Sequence, residues 1–168
     1  IILAAVFVAM VISILLSIFI WNPLEVGCQK FFINCKYGNA ELGDIAYGFK
    51  NGYAHIGMIM FLRGLFTGLW MLLFIIPGIV KSYEYMMIPY LLAEHPEMTR
   101  QEAFAESKQM MDGNKWDAFV LDLSFIGWTL LGVCTFGILL VFYVEPYIYL
   151  TRAELYHALK NNNKSVEF

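Results

Sequence analysis

The chain is 168 residues long, 60% hydrophobic and only 15% charged, with 14 Phe, 10 Tyr, 4 Trp and 9 Met. A water-soluble domain of this size has too much surface for its volume to hide so many apolar side chains, so the composition excludes that class and favours lipid as the solvent. A net charge of −3 with no basic tract excludes a nucleic-acid partner.

Residues 1–21 carry no charge and are too long for a signal-peptide core, so they read as a membrane span ending at Trp21-Asn22-Pro23, an interfacial aromatic followed by a helix terminator. The run begins at Ile1 without a Met, which points to further sequence upstream. Ile56 to Ile76 is apolar apart from Arg63, and Ile79 to Ala93 continues beyond Pro77-Gly78. Together these two stretches are far too long for one span, so Pro77-Gly78 reads as the tight turn of a helical hairpin. Phe119 to Val133, broken only by Asp122, and Ile138 to Leu155 repeat the shape around Cys134, Thr135, Phe136 and Gly137. The predicted fold is all-α, a polytopic bundle of hairpins. Its spans are 1–21, 56–76, 79–94, 118–133 and 138–155, with a sixth expected upstream.

Charge placement gives an independent check. Hairpins put segments 22–55, 94–117 and 156–168 on one side, with Lys30, Lys36, Lys50, Arg100, Lys108, Lys115, Lys160 and Lys164, and Arg152 close by. The positive-inside rule assigns that side, and the C-terminus, to the cytoplasm. Three short amphipathic helices are predicted there, over 24–36, 41–50 and 99–112. Leu24, Cys28, Phe31, Phe32 and Cys35 define the apolar face of the first, and Leu42, Ile45, Ala46 and Phe49 that of the second. In the third, Thr99 and Glu102 form a capping-box pattern, and Ala103, Phe104, Ser107, Met110 and Met111 share a face. An amphipathic helix, an Asn-Gly break, a span, a turn and a return span with Pro-Tyr occur twice, at Pro89-Tyr90 and Pro146-Tyr147, as a parallel repeat would.

An ionisable side chain inside a span is costly unless paired or facing a polar cavity, so Arg63, Lys81, Glu84, Asp122 and Glu145 form the candidate intramembrane polar site. Arg63 can bridge Asp122 or Glu145 across the bundle. Lys81 and Glu84, three residues apart on the outer half of the third span, can pair on one helix face. Tyr85, Tyr90, Tyr143 and Tyr147 are the expected aromatic lining. These groups either fix helix register or form a substrate or ion site. Catalysis would require Asp122 and Glu145 to meet, and no nucleophile or histidine is placed to help. Cys28, Cys35 and Cys134 supply neither a disulfide framework nor a metal set, so no metal or cofactor is expected.

The chain resembles an uncharacterised family of integral membrane proteins known mainly from Gram-positive bacteria. The stretches that carry the resemblance include Asn22-Pro23-Leu24-Glu25-Val26-Gly27, Phe49-Lys50-Asn51-Gly52-Tyr53, Pro77-Gly78-Ile79, Met110 through Trp116, and Leu121 through Trp128. The resemblance implies a multi-span plasma-membrane protein and no assigned activity. More distantly, the turn, return span and following amphipathic helix resemble the non-catalytic membrane domain that accompanies some glycerophosphodiester phosphodiesterases. The expected function is scaffolding, sensing or protection through contact with membrane lipids, a membrane-protein partner or a second copy. The alternative is a small permease using Arg63, Asp122 and Glu145.

Overall fold

Pro23 does not end the first helix. In the computed structural model, which describes residues 2–134, 137 and 139–166, α1 (Ile2–Leu16) passes through a π-helical turn (Ser17–Trp21) directly into α2 (Asn22–Lys36). A proline ring clashes with the carbonyl four residues back, here that of Phe19, and it offers no N–H to it. The helix widens instead. The Asn22 N–H reaches Ser17 O, five residues back, and the Phe19 carbonyl takes a hydrogen bond from the Tyr53 hydroxyl at 2.7 Å. The same device precedes Pro146, where a second π-helical turn (Leu140–Val144) leads into α9 (Glu145–Val166) and Glu145 N–H reaches Leu140 O.

Between these lie a 3-10 turn (Leu42–Ala46), α3 (Tyr47–Lys50), α4 (Tyr53–Leu73), α5 (Ile75–Glu84), α6 (Ile88–Glu94), α7 (Arg100–Met110) and α8 (Lys115–Cys134). The α4–α5 hairpin turns at Phe74, in extended conformation, and not at Pro77-Gly78. Pro77 falls in the first turn of α5, where a missing N–H costs nothing. Gly78 lets the two helices close, because a Cβ there would lie 2.6 Å from Met71 Cα. In the second hairpin, Thr135, Phe136 and Ile138 lie outside the described residues; Gly137 has φ +82°.

Three helical stretches among the described residues are long and apolar enough to cross a membrane: Val6–Lys36, Tyr53–Leu73 and Lys115–Val133. The stretch 79–94 is not one helix. It breaks at Tyr85–Met87, and α6 restarts with Pro89 in its first turn and is buried along Ile88–Ala93. At ~1.5 Å per residue α5 advances only about 15 Å, half the hydrocarbon thickness. Nor does the last helix leave the bundle at Leu155. It continues, and Ala153, Tyr156 and Leu159 enter the core.

The buried core gathers α2, the start of α4, α6, α7 and the second half of α9, around Val26, Ile33, Ile56, Leu91, Met111 and Tyr156. Beyond it, α1, the α4–α5 tip and α8 with the following π turn present exposed Phe, Leu, Ile and Val, a surface that lipid and not water can cover without cost.

Of the three amphipathic helices, α7 keeps its predicted face. Ala103, Ser107, Met110 and Met111 are buried, and Thr99 and Glu102 make the reciprocal cap. In α2 the most buried residues, Val26, Gln29 and Ile33, lie opposite the predicted face, whose members are half-buried. The reason is that α2 is surrounded. The 3-10 turn and α3 pack against one side through Gly27 and Gly48, while α6 and α9 take the other. The second predicted face is not buried either: Leu42 and Phe49 are exposed.

Candidate functional site

Arg63 does not bridge Asp122 or Glu145. One face of α4 carries Ile56, Ile59 and Arg63 toward the core, and there α2 presents Glu25, so the Arg63 guanidinium Nη1 donates to Glu25 Oε1 at 3.0 Å. Asp122 pairs instead with Arg152 of α9, Nη2 to Oδ1 at 2.9 Å, and its second oxygen accepts from the Tyr83 hydroxyl at 3.1 Å. The burial of both ion pairs is partial, and Glu25, Arg63 and Arg152 lie within electrostatic reach of Tyr90, which is 2% exposed, stacks on Tyr156 and has a hydroxyl without a hydrogen-bond partner among the described residues.

The Lys81–Glu84 pair forms as the spacing predicts, at 2.5 Å, on α5, which is not among the three helical stretches long and apolar enough to cross a membrane. Lys115, at the start of α8, reaches the other oxygen of Glu84 at 2.7 Å, and the Ser107 hydroxyl of α7 donates to the Glu84 carbonyl at 2.7 Å. Glu84 is only 5% exposed and sits where α5, α7 and α8 meet. The Glu145 side chain is exposed and makes no ion pair or hydrogen bond among the described residues, and Asp122 is taken by Arg152 and Tyr83, so no carboxylate pair with Asp122 forms.

The expected aromatic lining divides. Tyr85 packs edge-on against Phe104 at 4.9 Å beneath Lys81, and Tyr90 is in the core. Tyr143 and Tyr147 face outward in a ladder with Trp128 and Phe125.

Sequence reasoning missed a fourth cluster. Tyr149, Arg152, Tyr156 and Lys160 recur at helical spacing along α9. At its lower end Glu94 is held by Lys160 and by the Tyr156 hydroxyl, the latter at 2.5 Å. Burial pushes the Glu94 carboxyl up, but these two hydrogen bonds outweigh it and the pKa is lowered. Neighbouring His157 is buried against Tyr37; burial and Lys36 lower its pKa, against Glu94 and Glu154, which raise it. The polar spacing in α9 was the available signal. Chemically, each cluster is a closed set of opposite charges and hydroxyls joining two or three helices. No group of three or more His, Cys, Asp or Glu among the described residues is arranged to hold a metal ion.

With these clusters strung along residues 25–160, the family described as Protein of unknown function (DUF975) matches residues 2–163. The chain belongs to this family. No curated protein and no solved structure matches it. Every cluster of the DUF975 chain thus falls inside the shared domain.

Proposed function

We propose that this DUF975 chain is a multi-pass scaffold of a bacterial plasma membrane, contacting lipids and membrane partners. Its long connecting segments and C-terminus lie on the cytoplasmic side. The pairing of charges carries the reading: Arg63, Lys81, Glu84 and Asp122 each meet an opposite charge, three of them across helices. A group that takes up and releases cargo needs its charge available in at least one state, whereas a paired charge fixes which helices touch. The clustering of basic residues in the connecting segments supports the orientation.

A permease reading has one observation in its favour. Glu145 is exposed and unpaired among the described residues, and it follows a π-helical turn, a feature frequent at functional sites. The test is ion flux. The purified chain is reconstituted in phosphatidylethanolamine–phosphatidylglycerol vesicles carrying an entrapped pH indicator and an imposed proton or cation gradient. A scaffold leaves the gradient decaying as in empty vesicles. Protein-dependent flux abolished by Glu145→Gln would replace the scaffold with the permease.

A further inference from the structure

Three recesses follow one another along α4. The first, about 360 Å³, lies between the starts of α4 and α7 and is lined by His55, Met58, Thr99, Arg100 and Gln101. The second, about 220 Å³, is apolar and lies beside Gly57 between Met58 and Phe61. The third, about 510 Å³, opens between α1 and α4 over Phe61, Gly64, Gly68 and Leu72. Met58 lines the first and second, and Phe61 the second and third, so the three adjoin as a track along α4 that is polar and basic at one end and apolar along the rest, with Met58 and Phe61 as the side chains between neighbouring recesses.

Helical spacing makes the apolar part straight. Phe61, Gly64, Gly68 and Leu72 fall on one face, and the rise from first to last is about 16 Å, close to the ~15 Å of one hydrocarbon leaflet; beside Gly57 the same face is closed by the Ile18 carbonyl, 3.2 Å from where a Cβ would stand. The floor is open because a Cβ at Gly64 or Gly68 would meet nothing within 4 Å.

The basic end has a charge to spare. The chain has three arginines; Arg63 and Arg152 are held by Glu25 and Asp122, and Arg100 has no ion pair among the described residues. The nearest acidic side chains in sequence are turned elsewhere: Glu102 accepts from Thr99 N–H, and Glu97 approaches His95 at 3.6 Å. His55 donates through Nε2 to the Met98 carbonyl at 2.7 Å, which leaves Nδ1 as its second polar atom.

We propose that these recesses bind one phospholipid, its phosphate at Arg100 with the Thr99 hydroxyl, and an acyl chain along the Phe61–Leu72 face. A basic mouth feeding a leaflet-long apolar groove complements an anionic headgroup on a hydrocarbon tail; a free phosphate would have no use for the groove. The inference rests on the chain being a membrane protein.

Native mass spectrometry of the detergent-purified chain, titrated with phosphatidylglycerol, tests it. Arg100→Ala is expected to weaken binding about tenfold or more, the usual scale for a charge-assisted contact. Gly64→Leu with Gly68→Leu, which fills the open floor, is expected to do the same, and Lys108→Ala, outside the track, to change nothing. Excess inorganic phosphate should leave the lipid bound. Equal lipid binding by all variants, or full displacement by phosphate, would overturn the proposal. Alkaline extraction of the same membranes separates the two readings: release of the chain sinks the membrane assignment itself, whereas retention with unaltered lipid binding sinks only the lipid site.

Discussion

Glu84→Gln is expected to destabilise the fold by about 3 kcal/mol, the range seen when one partner of a buried ion pair is removed. The substitution keeps the shape of the side chain and removes only its charge, which leaves two half-buried lysines, Lys81 and Lys115, without an anion. The loss falls at the junction of α5, α7 and α8, so it loosens three elements together. Lys115→Met alone should cost less, because Lys81 still neutralises Glu84, and adding it to Glu84→Gln should recover part of the loss. Reversible unfolding in mixed micelles, followed by helical circular dichroism, gives these values. A Glu84→Gln protein as stable as the parent would show that this carboxylate is not what joins the helices.

Gly27→Ala should cost a comparable amount, about 3 kcal/mol, the upper end for overpacking a close contact. A Cβ at residue 27 would stand 1.9 Å from the Ile45 carbonyl oxygen, a backbone atom that cannot rotate away. The 3-10 turn must then leave α2, taking with it the Asn34–Asp44 hydrogen bond at 2.9 Å. Gly64→Ala is the matched control. It adds the same methyl to a helix where nothing lies within 4 Å, and the gain in helix propensity makes it neutral or stabilising by up to ~1 kcal/mol. Equal losses at both positions in the same unfolding assay would contradict the close approach at Gly27.

What sequence revealed follows the range of the forces involved. Local signals held: the reciprocal cap of Thr99 and Glu102, the buried face of α7 and the Lys81–Glu84 pair all depend on neighbours within one turn. Proline was legible as a feature, but Pro23 and Pro77 do not punctuate as read: Pro23 sits inside a continuous helix because the preceding turn widens, and Pro77 sits in a first turn where it does no harm. Pro146 lies within a helix, as the return span places it, behind a second widened turn. Long-range pairing was the least legible. Glu25 and Lys115 were assigned to connecting segments, which hid them as partners for Arg63 and Glu84, and Arg152 counted only as part of the inside charge. Nothing in spacing says that α2 is surrounded on both sides, which is why its predicted apolar face and its buried face differ.

The claim that these charges hold the helices together is tested most directly by a double-mutant cycle on Asp122 and Arg152, whose side chains meet at 2.9 Å between α8 and α9. Asp122→Asn and Arg152→Gln should each cost about 2 kcal/mol, discounted from a fully buried pair because both groups are partly exposed. The double variant should cost little more than either alone, a coupling of at least ~1 kcal/mol. Additive losses, or single variants as stable as the parent, would contradict the pairing and return Asp122 to the groups available for chemistry or transport.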